Sequence, residues 1–151
     1  MNKITKLEFK TEKGKIMKFN EQEHKLLALW AADCAEHVLP YFETEYPEDS
    51  RPRKAIEAGR AWVYDEKTIS EVRTAAFAAH AAARDANNIA ARAAARAAGH
   101  AAATAHVATH APHTADYALT AAEAANITDE REWQYKQLPR HFRSLIFPTR
   151  D

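Results

Sequence analysis

Four histidines, His100, His106, His110 and His113, fall within the stretch GHAAATAHVATHAPH (99–113), which contains no Asp, Glu, Lys or Arg. Successive helix positions turn by about 100°, so His106 and His110 at i, i+4 share a face, the spacing that can set two imidazoles on one metal ion. His113 and Asp116 follow closely enough to approach as further ligands. A zinc site needs three or four ligands and a supporting shell of hydrogen bonds, and the spacing guarantees only two. No HExxH and no CxxC accompanies them. The alternative is that these side chains are partly buried and hydrogen-bond to a neighbouring helix, and His37, His80 and His100 are read the same way. That structural reading is the expectation, with no metal and no cofactor; His106, His110, His113 and Asp116 are the ligand set if it fails.

Cys34 invites a second comparison, because His37 lies three residues on and near enough on a helix to interact. A thiolate nucleophile wants a lowered pKa, an oxyanion hole and an orienting third group. Cys34 instead sits mid-helix on an apolar stripe, where a thiol behaves as a small hydrophobe. Asp33 with Arg51 or Arg53 reads as a structural ion pair. No Gly-rich phosphate loop, no Ser–His–Asp order and no paired catalytic carboxylates stand out. The expectation is a protein that is not an enzyme.

The elements that position these residues read as an all-α, compact bundle of about six helices, with alanine-rich helices at its centre. Leu7 and Phe9 alternate with charged residues, EKGK (12–15) offers a turn, and Ile16, Met17 and Phe19 follow. Residues 1–19 are therefore a short β-hairpin or a basic arm, and 20–151 a single all-α domain. Asn20 with Glu23 makes a capping pair, opening a helix from Glu21 towards Leu39 that Pro40 ends. It carries Leu26, Leu27, Trp30, Cys34 and Val38 at helical spacing. Ser50 caps a second helix with Pro52 in its first turn, reaching about Val63 and burying Ile56 and Trp62. Three alanine-rich helices follow at about 69–86, 88–109 and 112–125, broken at Asn87–Asn88 and at Ala111–Pro112. Thr128 caps a last helix carrying Trp133. Alanine buries little area, so Trp30, Trp62, Trp133, Phe77, Tyr117 and the C-terminal aromatics are the expected fillers around closely spaced backbones.

Composition narrows the partners. The chain has 151 residues, 46% of them hydrophobic, and a formal net charge of zero. Phosphate contacts require Lys and Arg in excess, so nucleic acid is not an expected partner. The run from Ala97 to Ala115 lacks formal charge but holds four histidines and no Leu, Ile or Phe, so it does not read as a membrane span. One cysteine fits a reducing compartment, and the charged N-terminus has no apolar leader core. The cytoplasm is the expected location.

Four segments, WAADCAEHVLPYFE (30–43), DSRPRKAIEAGRAW (49–62), AARAAARAAGHAAATAHVATHA (90–111) and EREWQYKQLP (130–139), carry a resemblance. The chain over roughly 20–147 resembles the immunity protein five-like family of bacterial polymorphic-toxin systems. The specific part is Trp30, Asp33 and Cys34 followed at this spacing by Asp49, Arg51, Pro52 and Arg53; Trp62, His100, His106 and Trp133 belong to the same pattern. The resemblance implies a cytoplasmic protein that binds and neutralises a cognate protein toxin, and supplies no catalytic residues. The residues themselves are compatible with a surface role. Glu43, Glu45, Glu48 and Asp49 cluster after the first helix, and acidic clusters suit partners with basic surfaces and speed their encounter. The alternative is a helical scaffold that pairs across a two-fold axis through Phe77 or Tyr117.

Overall fold

The computed structural model describes residues 7–10 and 16–148, with side chains from Phe19 onward. Strands β1 (Leu7–Lys10) and β2 (Ile16–Phe19) pair antiparallel, Leu7 opposite Phe19 and Lys10 opposite Ile16. The expected turn at 12–15 lies outside the described residues. Helices α1 (Glu21–Val38), α2 (Pro40–Glu43), α3 (Arg51–Val63), α4 (Ile69–Asp85), α5 (Ile89–Ala103), α6 (His110–Ala124) and α7 (Glu130–Gln137) follow. A 3₁₀ turn (Arg140–Phe142) and α8 (Arg143–Ile146) close the described chain. Among the described residues six helices have eight residues or more, and the fold is an all-α bundle.

Capping chemistry sets most of the boundaries. Asn20 and Thr68 both form full capping boxes, with Glu23 and Glu71, and the Asn88 side chain accepts from the Ala91 N–H at 2.8 Å. Two anticipated caps differ. The Ser50 side chain makes no capping bond; Asp49 Oδ1 accepts from the Arg51 N–H instead. Asp129, not Thr128, stands at the start of α7. Pro40 ends α1 because it has no N–H to return to Glu36, yet the chain keeps turning, and Pro40 opens α2.

The larger departure is in the alanine-rich half. The helix expected over 88–109 stops at Ala103, and α6 begins at His110, two residues before Pro112. A proline is tolerated in a helix's first turn, where its missing N–H has no intrahelical partner to lose. Pro112 therefore starts α6 rather than separating it from α5. The break falls at 104–109, tightened by i→i+3 bonds from Ala105 to Ala102 and from His106 to Ala103.

Helix α5 is the centre of the bundle, packing on α1, α2, α3, α4 and α6. Its alanines at 91, 93–95, 97, 98, 101 and 102 are all buried. Arg92, Arg96 and His100, spaced i, i+4, i+8, form the stripe that is not. Helix α3 crosses it at Gly59, where an added Cβ would sit 3.4 Å from the Ala101 carbonyl oxygen. Bulk comes from around the alanines: Leu27, Trp30, Leu39, Phe42, Ile56, Leu138 and Phe142 are buried. Phe77 is not a filler; it is 65% exposed on α4, and Tyr117 is 37% exposed on α6.

Ala98 is fully buried in that centre. Ala98→Leu is expected to lower stability by about 1–3 kcal/mol through overpacking, read as a reduced urea midpoint. An unchanged midpoint would mean that the helices can separate without loss.

Candidate functional site

Three polar centres are built on this frame. The first lies where α1, α6 and α7 meet. Glu130, 1% exposed, accepts a 2.7 Å bond from His37 Nδ1, and the His37 ring stacks on Trp133 with centroids 3.6 Å apart. Gln134 Nε2 donates to the Ala115 carbonyl and to Glu130 Oε1, while its own carbonyl oxygens accept from Trp30 Nε1 and Arg131. Burial pushes the Glu130 carboxyl above its ordinary range, with the His37 contact opposing. This network joins Trp30 and Trp133 of the sequence motif through Glu130 and Gln134. The partner of Glu130 is 93 positions away, and no local spacing in the sequence signals it.

Cys34 lies in the same wall, fully buried, its thiol pushed well up by burial and then by the nearby Glu130 and Asp33. Both effects favour the neutral thiol over the thiolate. Asp33 pairs with Arg60 at 2.8 Å, not with Arg51 or Arg53, and Arg60 also holds Glu36 at 2.6 Å. Arg60 lies about two helical turns or more further along α3 than the arginines that were expected to serve Asp33. Trp62, half-buried at the end of α3, meets the His24 ring at 4.8 Å.

The second centre is histidine-rich, but its members differ from the anticipated set. His106 is exposed in the 104–109 turn, and His110 starts the next helix, so the i, i+4 pair does not exist. Asp116 is engaged by Arg131 at 2.8 Å and stays out. His80, His100, His110 and His113 gather instead from α4, α5 and α6. His100 and His110 share a hydrogen bond between their Nδ1 atoms at 3.0 Å, and the His100 ring lies 5.0 Å from His80, 5.6 Å from His113 and 5.1 Å from Tyr117, on which it stacks. Arg96 Nη1 donates to His80 Nδ1 at 3.0 Å, which requires that nitrogen to be unprotonated. Gly99 makes room for the His80 ring: a Cβ there would lie 2.6 Å from it. Among the described residues no three His, Cys, Asp or Glu side chains stand ready around one metal ion.

The third centre is the acidic link. Glu43 takes two bonds from Arg53, 2.6 and 2.7 Å, which hold its carboxyl below the usual range. Asp49 is likewise held down by Arg51, which also reaches Asp85 at 3.0 Å. Glu45 and Glu48 are exposed and make no ion pair among the described residues. The link is fixed from behind by the Asn87 N–H donating to the Tyr46 hydroxyl at 2.7 Å. Beside it runs a hollow of about 710 Å³ lined by Tyr41, Thr44, Glu45, Asn87, Asn88 and Ile89, and Ile89 is 67% exposed.

Fold and polar centres thus define a helical protein with a methyl-lined interior and its charge chemistry at the rim. The model of the family described as "Imm-5 like putative immunity protein" matches residues 17–141, and the chain belongs to that family. No curated protein and no solved structure matches it. Among the described residues no helix is long and apolar enough to cross a membrane.

The histidine centre has a pH signature. Burial, then Arg96 and Arg84, lowers His80 to about 4; burial, then the neighbouring imidazoles, lowers His100 to about 3, and His110 is also lowered. Unfolded, each would titrate near ~6.5, so below that pH the unfolded chain takes up protons that the fold refuses, and stability falls. Glu130, raised, works in the opposite direction and offsets part of the loss. The urea midpoint is expected to drop between pH 7 and pH 5, with a shallower drop in His100→Gln; equal slopes in both proteins would contradict the assignment.

Proposed function

We propose that this protein binds and neutralises a cognate bacterial toxin of a polymorphic-toxin system, acting by protein–protein contact in the cytoplasm rather than by turnover. Family membership supports the role. The observation that carries the contact surface is the exposed, uncompensated Glu45 lining the same hollow as the exposed Ile89, with Glu48, also exposed, three positions along the link. A central apolar anchor ringed by charge is how protein interfaces are commonly built. The excess carboxylates suit a partner with a basic face, such as the substrate-binding surface of a nuclease. Of the four acidic residues singled out in the sequence, Glu43 and Asp49 serve mainly to fix the link through Arg53 and Arg51, leaving Glu45 and Glu48 to meet the partner.

A second reading, self-association as a helical scaffold, draws on the exposure of Phe77 on α4. Light scattering of the purified chain separates the two, since the immunity reading requires a complex with a different protein.

The tagged protein, captured from the cells that make it, is expected to bring down one stoichiometric protein partner. With that partner in hand, Glu45→Gln/Glu48→Gln should slow association about tenfold at low salt and flatten its ionic-strength dependence. An unchanged association rate would remove the acidic link from the interface.

A further inference from the structure

We propose that the outer face of α4 and α5, built from Arg73, Phe77, Arg84, Arg92 and Arg96, docks an acidic segment of a partner protein that carries an apolar anchor residue. The face shares no residue with the hollow beside the acidic link. Its occupant need not be the toxin, so the proposal does not rest on the toxin-binding reading.

Helical phase sets the face. At ~100° per residue, Arg73, Phe77, His80 and Arg84 lie within about 60° of one another around α4, along roughly 16 Å of its length. His80 turns towards α5, where Arg96 Nη1 donates to its Nδ1 at 3.0 Å, so the two helices present one continuous surface. Arg84 and Arg96 are both close enough to His80 to lower its basicity, which sets the two guanidinium groups about one imidazole.

The positive charge here is uncompensated. Arg51, Arg53, Arg60 and Arg131 each reach a carboxylate. Arg73, Arg84, Arg92 and Arg96 reach none among the described residues; Arg92 donates to the Ala86 carbonyl and Arg96 to His80. Helix α5 contains no carboxylate. The two on α4 are engaged elsewhere, Glu71 in its capping box and Asp85 with Arg51.

These features select the occupant. A guanidinium offers five N–H donors in a fork that matches a carboxylate, and Arg73 and Arg84 have theirs free for such a partner. Between those two arginines Phe77 is 65% exposed, and an apolar side chain among the partner's carboxylates would cover it. An aromatic anchor beside arginines is the composition of an interface centre. A second copy of this chain fits poorly, because two-fold pairing of one face sets arginine against arginine. Single-stranded nucleic acid fits less well than an acidic protein segment. Its binders offer successive rings for stacking, Phe77 is the single phenyl ring in this set, and the chain as a whole has a formal net charge of zero.

The probe is a fluorescein-labelled synthetic peptide of glutamate with leucine at every fourth position, titrated with the full chain and read by fluorescence anisotropy. Saturable, micromolar binding that weakens as salt rises is expected. Arg73→Gln/Arg84→Gln, at exposed positions, should weaken it about tenfold or more with an unchanged circular dichroism spectrum. Lys136→Gln/Arg140→Gln removes the same charge from exposed positions at the other end of the chain and should leave the affinity nearly unaltered. Phe77→Ser should weaken binding of the leucine-bearing peptide more than that of plain polyglutamate. No saturable binding by the parent protein, an equal loss in the two double variants, or tighter binding of an oligothymidylate than of the peptide would each overturn the proposal. A dimer seen by light scattering and abolished by Phe77→Ser would also overturn it, by giving the face to a second copy.

Discussion

An alanine side chain is one methyl group, and α5 presents such groups on every side but one. Five helices pack against it, and each can do so only by bringing its backbone close, towards the short end of the ~8–10 Å range. Little area is buried per residue, so stability has to come from the number of close contacts and from larger side chains around the rim. On α5 the polar side chains that are not buried are confined to the Arg92–Arg96–His100 stripe.

The margins where helices end are where the fold is fixed in register. The Glu130–His37 pair and Gln134 tie α7 to α1 and α6 through hydrogen bonds, and among the described residues no buried side-chain polar atom lacks a partner. Removing one member of such a network leaves its partner buried without compensation, which costs far more than the intact pair contributes. The surface ion pairs of Arg53 and Arg60 are individually weak; their value lies in holding α3 and the acidic link against α1. His24, near the start of α1, donates to the Thr104 carbonyl and so clamps the frayed end of α5 at the point where the alanine helix breaks.

The helical class, the capped start at Asn20, the break at Asn87–Asn88, and the burial of Trp30, Cys34 and Ile56 could be read from the sequence because each depends on near neighbours. The end of α5 could not. Alanine gives no periodic contrast that marks a terminus, and Pro112 is as compatible with starting a helix as with ending one. The histidine centre was visible as a run, but its packing was not, since His106 was paired with His110 on a helix that does not extend so far. His80 and Arg96 enter only through the packing of α4 on α5, and the His37–Glu130 pair only through that of α7 on α1. Of the acidic cluster, the sequence shows four carboxylates; which two are neutralised depends on where α3 lays Arg51 and Arg53.

The proposed surface role agrees with membership of the family described as "Imm-5 like putative immunity protein". The most direct test is survival. The partner captured with this protein, expressed in a heterologous bacterial host, should stop growth on its own and permit it when this chain is co-expressed, with Glu45→Gln/Glu48→Gln protecting less well at equal abundance. Growth arrest that proceeds equally with and without this chain would contradict the account.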